Sequence, residues 1–468
     1  MSTEQPIDTS RQSAFSIIKQ ALKGEHLDFT QGSIRRSVLL LAIPMILEMI
    51  MESVFAIVDI YFVGRIEGHG TQAVSTVVLT EVVLTILYSA AMALSMGATA
   101  VVARRVGEKQ LDEAAHSAAQ AINLALLVTV VISLAGSFFA ADILRLMGGS
   151  PEVVDIGTPY TRIMFGGSIV ITLLFLVNGI FRGAGNATIA MWSLWIANGC
   201  NIILCPILIH FYGLTGAAMA TTIGRGIGVT YQLFHLLRGK GLLKIKIPHF
   251  RIDWRIFKSL FDLSWVAFLQ FFIGSASWMF LARLMTRFHD DAVAGYGVAI
   301  RLLMFFMLPA WGLSNAAATL VGQNLGAGEP LRAERSVWKT AQFSALYMGT
   351  VTLLCQLGAE RLISLLNTDP AVISIATQGL RIMSMGFIFY GIGMVVTNAF
   401  NGAGDTRTPT IINLVGFWAF QIPFAWLLAT NTNLEHTGIF LAVVIAETLI
   451  SIAGVILFRR GKWKLVRV

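Results

Sequence analysis

The sequence predicts an all-α integral membrane protein, with twelve transmembrane helices in two pseudo-symmetric six-helix lobes. Three observations predict it. Of the 468 residues, 56% are hydrophobic and 13% charged, and the mean hydropathy is +0.72, whereas a soluble domain carries about a quarter charged residues. The apolar runs are too long and too weakly charged for ordinary core helices and do not alternate as barrel strands do. Each therefore reads as a helix of the ~20 residues that cross hydrocarbon. Finally, the chain repeats itself. Phe181 to Asn186 (FRGAGN) returns as Phe400 to Asp405 (FNGAGD), and Ala100 to Gly107 (AVVARRVG) returns as Thr319 to Gly326 (TLVGQNLG), both 219 positions later. Two markers sharing one offset indicate two homologous halves, the plan of transporters built from paired repeats around a substrate path.

The elements follow in order. Residues 1–36 are polar and read as a cytoplasmic segment with no signal peptide. A short surface helix around Ala14 to Leu22 and a disordered stretch are the two alternatives there. The first four spans, 37–63, 72–98, 116–141 and 158–181, rest on the apolar runs Val38 to Met51, Val77 to Ala103, Ala118 to Ala141 and Ile163 to Phe181. Spans 187–211 and 214–237 complete an N-lobe over 37–238, and the small residues from Gly213 to Ala220 permit close helix approach. A basic cytoplasmic linker, 239–256, leads to a C-lobe over 257–460, with spans at 257–284, 292–316, 338–359, 375–400, 408–430 and 436–458. Residues 461–468 form a cytoplasmic tail.

With the N-terminus inside, 25 Lys and Arg fall in inside segments or within two residues of them (Lys258 and Lys339 open their spans) and 4 in outside loops, which places both termini in the cytoplasm of an inner-membrane protein. The net charge of +8 is mostly this asymmetry and gives no reason to invoke nucleic acid. The FRGAG and FNGAG stretches read as cytoplasmic turns with Arg182 and Arg407 as positive-inside anchors. No Gly-Lys-Ser/Thr follows either, which excludes a P-loop. Cys200, Cys205 and Cys355 lie within spans and form no CxxC, so neither a disulfide nor structural zinc is expected. No Ser/His/Asp triad, HExxH or metal cluster is visible. Enzyme chemistry and ATP hydrolysis have no support, no cofactor is expected, and the energy source left is an ion gradient.

Charges at bilayer depth need a partner, a wet cavity or a function. The first span carries Glu48, Glu52 and Asp59 on roughly one face, with Pro44 near its start as a hinge. The functional reading is a cation or proton site. The alternative is pairing with intramembrane arginines. Repeat alignment sets Glu81 against Arg301 and Arg225 against Glu447, so each half either neutralises its own charge or the pairs meet near the pseudo-symmetry axis.

These residues lead to a family. The chain resembles the multidrug and toxic compound extrusion (MATE) transporters from about residue 33 to 460. The resemblance is carried by Ile57 to Gly64, Ala103 to Gly107, Asn178 to Asn186, Asn198 to Pro206, Gly216 to Thr221, Val321 to Gly328 and Phe400 to Pro409. It implies a two-lobed exporter that exchanges organic compounds, often cationic and aromatic, for Na⁺ or H⁺. In the branch with an N-lobe cation site, the implied residues are Asp59, Asn201 and Thr221, which match, and a fourth at Cys205, which departs. Na⁺ prefers hard oxygen ligands, and a neutral thiol is a poor substitute. Either Glu52 replaces the missing acid, Asp59 works as a proton-only site, or Na⁺ binds at Asp59, Asn201 and Thr221 with other coupling. Proton coupling through Asp59 with help from Glu52 is favoured.

The substrate path leaves less trace. Met51, Phe55, Tyr61, Trp195, Trp278, Met279, Met304 and Trp311 are candidate lining residues, since methionine adapts to many ligands and aromatic faces attract cations. Expected partners are small organic molecules and membrane lipids, and the chain reads as monomeric. The competing reading on the same fold is a flippase for an amphiphile or lipid-linked sugar. An arginine-lined cavity would favour it, with Arg225, Arg283 and Arg301 available.

Overall fold

The computed structural model describes residues 14–24, 27–64, 66, 70–239 and 242–467, with the backbone alone at 14, 15, 59, 60, 70 and 71. Every described element is helical. A short helix, Ala14–Lys23, occupies the N-terminal segment. Twelve helical spans follow: α1 (Ile34–Val63), α2 (Gly70–Gly107), α3 (Leu111–Phe138), α4 (Pro151–Gly166 and Ser168–Gly183), α5 (Ala187–Tyr212), α6 (Leu214–Arg238), α7 (Trp254–Met285), α8 (Asp290–Gly326), α9 (Pro330–Ser364), α10 (Pro370–Ser384 and Phe387–Ala403), α11 (Arg407–Asn431) and α12 (Glu435–Arg459).

Among the described residues nine helices are long and apolar enough to cross a membrane, and the bent pair forming α10 makes ten. The other two, α6 and α9, occupy the places of expected spans but interrupt their apolar runs with Arg225 and Gln232, and with Gln342 and Gln356. Arg225 and Gln232 of α6 are buried among neighbouring helices, whereas Gln342 of α9 is exposed and Gln356 half-buried.

The repeat is visible in the backbone. α4 breaks at Gly167, and α10 bends by 56° at the break that holds Gly386, 219 positions later. Both spans then end on a glycine with positive φ, Gly185 (83°) and Gly404 (87°), a conformation that costs a side-chain-bearing residue energy. Their preceding glycines make the same contact in each half. A Cβ on Gly183 would lie 2.8 Å from the carbonyl oxygen of Thr99, and one on Gly402 would lie 2.2 Å from that of Ala318, again 219 positions on.

Each half has its own apolar core. One is built around Val102, Ala118, Val177 and Phe181, the other around Met307, Met348, Phe387 and Phe440. A third joins the halves, packing Leu41 and Met45 of α1 against Leu313 and Leu320 of α8. The halves pack together toward the end expected to face the cytoplasm, called here the inner end. There Thr319 and Gln323 donate to the carbonyls of Arg182 (3.1 Å) and Gly183 (2.9 Å). Gly312 packs against Met45, and Gly97 against Ser264. The linker is fastened by Gln120, which donates to the carbonyls of His249 (2.8 Å) and Arg251 (2.7 Å). Arg332 of α9 grips the carbonyls of Gly32 (2.8 Å) and Gln31 (2.7 Å) before α1.

Candidate functional site

α1 runs as one continuous helix through Pro44. It threads between the halves at its inner end and enters the N-terminal half beyond, where Val63 joins a core with Cys205 and Ala217. Its two acids at mid-depth face different partners on α4, α5 and α6.

Glu48 is 1% exposed. Its Oε1 accepts from Asn178 Nδ2 (2.9 Å) and pairs with Arg182 Nη1 (3.2 Å), while Arg182 Nη2 donates to Ser95 Oγ (3.1 Å). Behind them, Gln232 Nε2 (2.5 Å) and Ser193 Oγ (2.8 Å) donate to Asn178 Oδ1, which fixes the amide so that its NH₂ faces the carboxylate. A buried carboxylate held this way is neutralised locally and its geometry is over-determined. Arg182 is therefore not a solvated anchor at a cytoplasmic turn, as its place beside FRGAG suggested. It is buried because the close Gly183–Thr99 contact draws the end of α4 into the bundle. Arg407 is exposed.

Glu52 lies one turn further out and is 21% exposed. Its Oε1 pairs with Arg225 Nη2 of α6 at 3.3 Å, and its Oε2 accepts from Asn198 Nδ2 of α5 at 3.0 Å. The Arg225 guanidinium lies 5.5 Å from the Phe55 ring, 5.7 Å from Tyr88 and 5.6 Å from Phe175. Three aromatic faces stabilise its charge where water does not reach.

The implied cation-site residues come partly together. Asn201 Nδ2 donates to Thr221 Oγ1 at 3.0 Å, and the Asn201 side-chain oxygen is buried with no donor. Cys205 is fully buried one turn along the same helix. The backbone of Asp59 is helical, one turn before Val63, and its side chain lies outside the described residues. An unsatisfied amide oxygen is a ligand type that suits a hard cation, and the Cys205 sulfur is not. Among the described residues no group of three or more His, Cys, Asp or Glu is placed to hold a metal ion.

The remaining candidates separate. Arg225 is neutralised within its own half and forms no ion pair with Glu447, which lines a cavity in the other half. Glu81 and Arg301 are exposed on their separate helices, as is Arg283. Trp278, Met304 and Trp311 line that C-terminal cavity. Trp195 is half-buried and donates to the Leu47 carbonyl at 3.1 Å. Met51 is half-buried, Tyr61 is 50% and Met279 51% exposed. Reasoning from sequence gave no role to Asn178, Asn198 and Gln232, although an amide inside an apolar span was a usable signal.

Comparison with known proteins follows the same lines. The MatE family model matches residues 44–207 and 266–427. The "Probable multidrug resistance protein YoeA" of Bacillus subtilis is 25% identical over 449 residues, 94% of this chain and 96% of that protein. The "Multidrug export protein MepA" of Staphylococcus aureus is 23% identical over 443 residues, 93% of this chain and 96% of that protein. A solved structure described as "Crystal structure of MATE in the straight conformation" superposes with a TM-score of 0.88 at 23% identity, covering 93% of this chain and 98% of that one.

Proposed function

The chain belongs to the MATE family of membrane transporters, and from that premise we propose that it is a secondary active exporter. It moves small organic compounds, often cationic and aromatic, out of the cytoplasm in exchange for H⁺ or Na⁺ by alternating access. It acts as a monomer in the inner membrane, with both termini cytoplasmic, an N-lobe over 37–238 and a C-lobe over 257–460.

The observation that carries the reading is Glu52. It is a partly exposed carboxylate on α1, tied to a buried arginine, in a molecule whose halves are fastened together at the inner end. We read that inner fastening as the outward-facing state, in which a cation from outside reaches α1. Asp59 is the primary coupling group and Glu52 the second. Neutralising them weakens the hold of α6 on α1, lets α1 bend at Pro44, and refits the N-lobe for inward opening. Asn201 and Thr221 supply oxygen to the incoming ion, and Cys205, with no oxygen to offer, favours H⁺ over Na⁺. The flippase alternative wanted an arginine-lined path. Arg225 is already paired, and neither Arg283 nor Arg301 lines the C-terminal cavity.

The test is efflux of ethidium from proteoliposomes under an imposed pH gradient, with and without a Na⁺ gradient, for the wild type and Asp59→Asn. Efflux driven by the pH gradient alone and lost in the variant is expected. Gradient-driven export that survives in Asp59→Asn refutes coupling through the N-lobe.

A further inference from the structure

Each of the two mid-helix acids of α1, Glu48 and Glu52, has its arginine. Glu447 of α12 does not. It is 8% exposed, and among the described residues no Lys, Arg or His lies within ion-pair distance of it. It lines a cavity of about 280 Å³ walled by α7, α8, α10, α11 and α12. That volume is near the lower end of the ~300–1,000 Å³ typical of small-molecule sites.

The walls are built for a flat apolar body. Phe271 and Trp311 stack at 5.8 Å with ring planes 9° apart, and Trp278 and Phe417 line the same space. Met304, Met307 and Met394 add side chains that adjust to different outlines. No basic residue lines the cavity. Gln270, 4% exposed, lines it with a side-chain oxygen that has no donor. Two further features concentrate here. α11 is wound as a π-helix over Leu414–Gln421, which puts Phe417 on the wall, and such segments are frequent at functional sites. Met96 of α2 reaches the cavity from the N-terminal half, so its shape depends on how the halves are set against one another.

Beside Glu447 stands the Tyr390 hydroxyl but no basic group, and a carboxylate's charge in an apolar cavity is costly unless the group takes a proton or a bound cation supplies the opposite charge. We infer that Glu447 is the charge-recognising residue of a cargo site in the C-terminal half, and that the site takes a flat aromatic monocation. The cationic group sits between the Glu447 carboxylate and the Gln270 oxygen, with the ring system between Trp278 and the Phe271–Trp311 stack. This rests on the proposed export of organic compounds and assigns cargo selection to one lobe and ion coupling to the other.

Ethidium binding to the detergent-purified full chain tests it, read by fluorescence anisotropy beside ethidium efflux from proteoliposomes. Glu447→Gln is nearly isosteric and removes only the charge. It is expected to weaken ethidium binding roughly tenfold or more, the loss of one desolvated ionic contact, and to leave binding of an uncharged aromatic dye, Nile red, within about twofold. Trp278→Ala is expected to weaken both ligands. Wild-type affinity for ethidium in Glu447→Gln, with efflux intact, overturns the C-lobe site and leaves the exporter reading standing. Equal weakening of ethidium and Nile red in Glu447→Gln also overturns it, because the residue would then be shaping the cavity rather than reading charge. A wild-type protein that neither binds nor exports ethidium overturns the site and the exporter reading together.

Discussion

Gly107 and Gly326 hold reciprocal places across the junction of the two halves. A Cβ on Gly107 would lie 2.0 Å from the carbonyl oxygen of Gln323, and a Cβ on Gly326 would lie 2.1 Å from that of Arg104. Gly107 and Gly326 are 219 positions apart, as are Arg104 and Gln323, so the pseudo-two-fold axis passes between the ends of α2 and α8. The repeated AVVARRVG and TLVGQNLG stretches are the two sides of one backbone-to-backbone contact.

Closure of the inner end therefore depends on two missing side chains. Gly326→Val forces the ends of α2 and α8 apart, because the obstructing atom is backbone and has no rotamer to escape to. Overpacking of this kind costs about 1–3 kcal/mol, enough to move a two-state equilibrium substantially. With spin labels at the exposed positions Lys109 and Glu329, the expected outcome is a shift toward longer distances in the variant. An unchanged distance distribution would show that this contact does not hold the inner end shut.

The Glu52–Arg225 pair makes a second prediction. Arg225 is 3% exposed by side chain, and an uncompensated buried charge costs ~3–5 kcal/mol. Glu52→Gln is expected to lower the thermal unfolding midpoint in detergent and to abolish gradient-driven efflux. Glu52→Gln combined with Arg225→Met removes both charges and is expected to recover most of the stability without recovering efflux. Recovery of both would make the pair structural and take Glu52 out of coupling.

That pair also marks how far sequence carried the reading. The spans were legible because an apolar run of membrane-crossing length has few other interpretations, and the halves because two glycine motifs share one offset. Glu48 and Glu52 stood out as acids on one helix face. Their partners did not, since choosing Arg182 for one and Arg225 for the other depends on how α4 and α6 lie against α1, and neither spacing nor composition encodes that packing. Arg182 was misplaced for the same reason. It adjoins a glycine turn that looks exposed, while the close approach those glycines allow is what buries it. Glu447 was legible as a charge and not as a cavity wall, because the cavity is assembled from six helices.

Cys205 is where coupling specificity should be adjustable. It is fully buried one turn from Asn201, whose side-chain oxygen has no donor. Thr221 Oγ1 is already within 3.0 Å of the Asn201 amide. Two oxygen-bearing side chains are thus in place on α5 and α6, and the thiol is the position that fails a hard cation. Cys205→Asp supplies a carboxylate, and burial favours ionisation only when a cation accompanies it. The variant is expected to gain thermal stability as NaCl replaces an equal ionic strength of choline chloride, and its ethidium efflux is expected to respond to a Na⁺ gradient where the wild type responds to pH. Cys205→Asn, which supplies oxygen without charge, is expected to give a weaker Na⁺ response in the same two assays. Sodium dependence already complete in the wild type would mean that the thiol position is irrelevant to ion choice, and that Asp59, Asn201 and Thr221 suffice.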